Sequence, residues 1–199
     1  MGVAVVNRLE LAERLKGADW SETMRKISLR LASSAVRKIN SNVPPENAPL
    51  TQAVKQGANT LRDNGQLMAS VAPQSGSNWA AAATNMKQAK ILQYGGTIAG
   101  KGKGLWIPAG AETRRLMRRH NAQKPSELIK AMRGDGWSFY RRGKAFFAKK
   151  KKGEPFVLFV IKDSVKIPAR PFLYLDDKDK KEVNAAVKKA VRKALGGKK

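Results

Sequence analysis

Residues 95–102 read GGTIAGKG, and Gly95, Gly100 and Lys101 stand at the spacing of a phosphate-binding loop. In such a loop, backbone amides cradle the phosphates, the lysine ammonium reaches them, and a Ser or Thr directly after the lysine holds magnesium. Here that position is Gly102. The motif should also follow a buried strand and open a helix. Instead AKILQY ahead of it has helical spacing, and Gly102, Lys103, Gly104 and Pro108 follow. Asp163, closing FVLFVIKD, resembles a strand-end magnesium ligand, but Lys162 precedes it. The segment is therefore read as a glycine-ended helix entering a flexible basic loop.

The other chemically suggestive residues have plainer readings. His120 is the single histidine and is flanked by Arg118, Arg119 and Asn121, which suits a solvated basic patch better than a general base. Asp176, Asp177 and Asp179 alternate with Lys178, Lys180 and Lys181, a pattern that fits the start of a helix better than a cation site. The chain has no cysteine, which excludes disulfides and thiolate ligands or nucleophiles. The sequence predicts no catalytic, cofactor-binding or metal-binding residue, no cofactor, and no enzyme.

Charge is the dominant feature. Forty Lys and Arg stand against 15 Asp and Glu over 199 residues, a net charge of +25, which points to a polyanionic or acidic partner. The cations concentrate at Arg114, Arg115, Arg118 and Arg119, then at Arg141 and Arg142, and again at Lys149, Lys150, Lys151 and Lys152. Trp137, Phe139, Tyr140, Phe146 and Phe147 interleave with the last two groups. Such residues could hold phosphates and stack bases, although aromatics alternating along strands are more simply core. No segment reaches the roughly 18–20 apolar residues of a membrane span, and the N-terminus lacks a signal-like apolar run, so no membrane partner is expected.

The elements that must carry these residues read as follows. Asp19 and Glu22 form a capping-box pattern ahead of a helix whose stripe is Met24, Ile27, Leu31, Ala35 and Ile39. Leu9, Leu11 and Leu15 suggest a shorter helix before it, stopped near Gly17. ENAPLTQAV reads as loop, LMASVAP and NWAAAATN as paired strands, and MKQAKILQY as a helix. LWIPAG is a short strand, followed by short helices in AETRRLMRRH and SELIKAMRG. WSFYRR, KAFFAKK and FVLFVI are strands, the last two joined by a hairpin turn at Gly153-Glu154-Pro155. A final helix begins at Asp176-Asp177. Helices at both ends with antiparallel strands between them define an α+β fold. One domain over 1–199 is expected, with an irregular basic insertion at about 98–160.

LRDNGQLMASV followed by ATNMKQAKILQYGGTI, and SVKIPARPFLYLDDKDKKEV nearer the C-terminus, resemble signature blocks of the phage virion morphogenesis proteins, the tail completion proteins of Mu-like tailed phages. The resemblance spans about residues 25–195 and rests on Asp63, Gly65, Leu67, Gln93, Tyr94, Gly95, Gly96 and the run Ile167, Pro168, Ala169, Arg170, Pro171, Phe172, Leu173. Asn64 stands where the family usually has Thr, and Leu92 where His is common. The resemblance implies a structural virion protein at the head–tail junction, assembled in the host cytoplasm. As a neck subunit it would form a ring with itself, expected to be a hexamer, between the connector or stopper and the tail terminator or tail tube, with genomic double-stranded DNA passing through. The alternative is a non-virion basic DNA-binding or assembly-accessory protein. Within IPARPFL, the prolines should hold the chain extended, Phe172 and Leu173 should anchor in the core, and Arg170 should meet a carboxylate.

Overall fold

The computed structural model describes residues 15–55, 57, 59–100, 102 and 104–196. The helix expected through Leu9, Leu11 and Leu15 falls largely outside these residues, as does Lys101. The chain divides into two compact units, one of 1–42, 65–89 and 171–199, the other of 43–64 and 90–170.

The first unit is built on helix α1, Ser21–Asn40. The Ser21 amide donates to Asp19 Oδ1 at 2.9 Å, satisfying a donor of the first turn. Glu22 does not reach back to complete a capping box; it pairs with Lys26 at 2.6 Å, one turn along. Ile27, Ala35 and Ile39 of the expected stripe are buried, together with Ser28, Ala32, Ser34 and Lys38. This face packs on the hairpin of β1, Val71–Ser75, and β2, Ala80–Thr84, paired antiparallel with Val71 opposite Thr84. The strand expected from Leu67 starts four residues later. Gly65 adopts φ +82°, and Gln66–Ala69 close a single helical turn that buries Leu67 before the chain extends. The C-terminal helix, Asp177–Ala194, also packs on α1.

The second unit opens with Pro49–Val54, a short helix where loop was expected; Pro49 stands at its first position, where a missing N–H costs nothing. Helix Ala89–Tyr94 follows, and then Gly96–Ala99, which is strand β3 rather than flexible loop. Its partner is Ser164–Ile167, with Gly96 opposite Ile167 and Ala99 opposite Ser164. The main sheet is antiparallel and four-stranded, in the order β4 (Leu105–Pro108), β7 (Phe156–Lys162), β6 (Ala145–Lys150), β5 (Trp137–Arg142). Two helices, Ala111–Arg119 and Pro125–Gly134, supply Leu116, Leu128 and Met132 to one face of it.

That face carries Trp106, Phe146, Phe159, Phe139, Trp137 and Phe156, which meet edge-on or stacked at centroid distances of 4.9–5.8 Å. A bulge leaves Leu158 without a partner, since Phe146 opposes Phe159 and Phe147 opposes Val157. Two consecutive residues, Leu158 and Phe159, thereby both join the same core cluster and are fully buried. Each such side chain contributes about 1.5–3 kcal/mol on burial.

Candidate interaction surfaces

The three sequence blocks that resemble one family are far apart in sequence, and two of them meet in the second unit. QYGGTI and IPARPFL lie side by side through the β3 pairing, and the Arg170 amide donates to the Leu92 carbonyl at 2.8 Å. Gly95 sits at φ +71° with room for nothing more: a Cβ there would lie 2.7 Å from the Ala169 nitrogen and 3.0 Å from the Ile167 oxygen. Glycine at this position follows from both constraints. Tyr94 beside it is 74% exposed. The phosphate-loop spacing is thus a helix end followed by a strand, with no helix N-terminus after it.

Arg170 is only 5% exposed, and its partners are not carboxylates as expected but two consecutive backbone carbonyls. Its Nε donates to Pro45 O at 2.8 Å and its Nη2 to Glu46 O at 2.9 Å. The planar fork suits such a pair, and burial pushes its pKa down. The same segment is tied by Lys55, which donates to the Asn59 and Thr60 carbonyls, and by Thr60 Oγ1, which donates to Val43 O at 2.7 Å. Asp63 accepts from Arg114 Nη1 at 2.8 Å, and that guanidinium also donates to the Val54 carbonyl. Arg114, placed by sequence in a partner-binding cluster, therefore has an internal task.

In the first unit, Asp179 is the centre of a polar cluster. Its Oδ2 accepts from Lys38 Nζ at 2.6 Å and from Ser34 Oγ at 2.8 Å, and Lys38 also donates to the Tyr174 carbonyl. Asp176 caps the C-terminal helix: its Oδ1 accepts from the Asp179 amide at 2.7 Å, while the Asp179 carboxylate accepts in return from the Asp176 amide. Burial pushes the Asp179 carboxyl up, but the hydrogen bonds from Lys38, Ser34 and the Asp176 amide outweigh it and hold it at about 2. Hydrogen bonding from the Asp179 amide likewise lowers Asp176. These aspartates are committed to helix capping and to Lys38. Phe172, fully buried, anchors the start of this segment as expected, whereas Leu173 is half-buried.

The other cations of the sequence clusters are spread over a helix, both sides of the main sheet and its turns. Arg115 pairs with Glu112 on its own helix, and Arg118 and Arg119 are exposed. Arg141 folds back to the Gly143 carbonyl at the β5–β6 turn. Lys150 stands 5.8 Å over the Trp137 ring, on the covered side of the sheet, while Arg142 and Lys149 fall on the other side. Lys151 and Lys152 occupy the exposed turn beyond β6. His120 departs from the solvated reading: its side chain is 19% exposed, and Nε2 lies 3.7 Å from Asp135 Oδ2. Sequence reasoning missed Lys38, Ser34 and Lys55, whose polar heads work inside the fold.

Residues 4–127 match the model of the phage virion morphogenesis family. No curated protein and no solved structure matches the chain. With well over half its length matched, the chain belongs to the phage virion morphogenesis family, and its role is structural, in building the phage particle. IPARPFL lies beyond the matched residues, and what ties it to them is the β3 pairing described above. Among the described residues, no helix is long and apolar enough to cross a membrane.

Proposed function

We propose that this chain is a tail completion subunit that joins the neck of a tailed phage, forming a ring with copies of itself between connector and tail tube. The observation that carries the reading is membership of the virion morphogenesis family over 4–127, to which the net charge of +25 adds a reason for standing near DNA or acidic rings. The exposed arginines at 118 and 119 and the turn lysines at 151 and 152 supply positive charge towards a channel or a neighbouring ring. The family-block residues act differently. Asp63, Gly95, Gly96 and Arg170 hold the second unit in shape, and the Tyr94 ring, 74% exposed, projects into solvent.

The genetic test is a phage carrying a stop codon in this gene. A neck subunit predicts DNA-filled heads and finished tails that accumulate separately, with joining restored by the purified chain added to the lysate. Normal particles from the stop-codon phage, or a block in DNA replication, would contradict it.

A further inference from the structure

Among the described residues, the buried core cluster and its two helices lie against one side of the main sheet. Opposite the aromatic core, alternate residues place Ser138, Tyr140 and Arg142 of β5 across from Lys149, Phe147 and Ala145 of β6. Phe147 continues to Val157, and Ala145 to Val160 and then to Ile107 of β4. None of these side chains is fully buried, and Tyr140 is 44% exposed, whereas Ala148, Phe159 and Ile161 on the covered side are at most 4% exposed. An apolar band thus crosses all four strands, half-buried at Phe147, Val157, Val160 and Ile107 and exposed at Tyr140. Its rim is cationic: Arg142, Lys149 and Lys162 are exposed on this side, and Asp163 at the edge is paired with Lys144 at 3.0 Å.

We infer that this second sheet face is a docking surface for another protein of the particle, one with an apolar centre and an acidic margin. It rests on the virion-assembly reading only in taking that partner from the particle. An apolar centre ringed by charge is the anatomy of a protein–protein interface. The cationic rim selects an acidic counterpart and steers its approach. A second copy would bring the same surplus of positive charge against the rim. Nucleic acid fits less well. Tyr140 and Phe147 already stack on each other, 5.0 Å apart and 3° from parallel, and Val157, Val160 and Ile107 offer nothing to a base.

The test places a photo-crosslinking amino acid at Tyr140, and separately at Ser138, in the full chain supplied to phage-producing cells. Lys130, exposed on the helix Pro125–Gly134, is the control position. Either position on the face should cross-link several-fold above Lys130 to a peptide of a different phage protein with net negative charge. Adding Arg142→Glu and Lys149→Glu should reduce that yield several-fold. Cross-links to this same chain, to nucleic acid, or at the control level would each overturn the proposal. Presence of the chain in salt-washed particles from the same lysate is read separately, so failure of the neck reading is distinguishable from failure of the docking face.

Discussion

Lys38 and Asp179, 141 positions apart, form a buried ion pair: Nζ lies 2.6 Å from Oδ2, with the side chains 8% and 6% exposed. The pair joins α1 to the C-terminal helix from within the first unit. Because both charges are out of water, each depends on the other. Asp179→Ala should destabilise the chain by about 1.5–3 kcal/mol, since the buried ammonium loses its shortest carboxylate contact and keeps only Asp176 Oδ2 at 3.2 Å and the Tyr174 carbonyl. Combining it with Lys38→Met should recover much of that loss. Urea unfolding of the three proteins decides it, and equal midpoints for the single and double variants would show that the pair carries no such dependence.

The same carboxylate sets an acid limit. Its pKa falls from 3.8 to about 2 on folding, so the unfolded state binds the proton more readily. Its stabilising contribution is complete above about pH 4 and is lost as pH falls towards 2, an amount of about 2 kcal/mol. Stability measured from pH 5 to pH 2 should drop in the wild type and drop less in Asp179→Asn. Parallel curves would contradict the assignment.

Gly95 tests whether the two family-like blocks need their close approach. Gly95→Ala meets both a left-handed φ and the Ala169 backbone at 2.7 Å, whereas Gly65→Ala at φ +82° meets no atom within 4 Å. The Gly65 variant should lose about 1 kcal/mol, from backbone conformation alone. The Gly95 variant should lose clearly more, seen as a lower thermal midpoint. Equal losses would mean that the segments yield at little cost.

Arg170→Lys should loosen the segment 43–48. A lysine ammonium lacks the fixed fork that serves the Pro45 and Glu46 carbonyls together, and a lost bond of this kind costs about 1.5–3 kcal/mol. Amide hydrogen exchange across residues 43–48 should quicken, with the main sheet unchanged. Unaltered exchange there would show that the guanidinium is not what holds the segment.

How much of this was legible in the sequence depends on whether side chains or backbone made the contact. The helix start at Asp176 and the hairpin around Gly153 have side-chain or turn signatures and were readable. The strand at Gly96–Ala99 was not, because its glycines signal a loop and its partner lies some 70 residues away. Arg170 invited a carboxylate because carbonyl acceptors leave no trace in residue identity. Lys38 escaped notice because a lysine at a helix stripe's margin reads as solvent-facing, and only the position of Asp179 turns it inward. His120 looked solvated from its arginine neighbours, but the helix end packs it beside Asp135.

The free chain should bind double-stranded DNA only weakly, with a dissociation constant of about 10⁻⁶ M or above at physiological salt. Among the described residues, Arg114 and Lys38 are held in internal contacts, and the cations of the main sheet are split between its two sides. A salt titration of binding checks this. Much tighter binding with a steep salt slope would favour the DNA-binding accessory alternative.

The most direct test of the central claim is quantitative mass spectrometry of intact particles after stringent salt washing. A neck ring predicts that this chain remains, at a low copy number near about six per particle. Its absence from washed particles that still carry heads and tails would contradict a place in the neck.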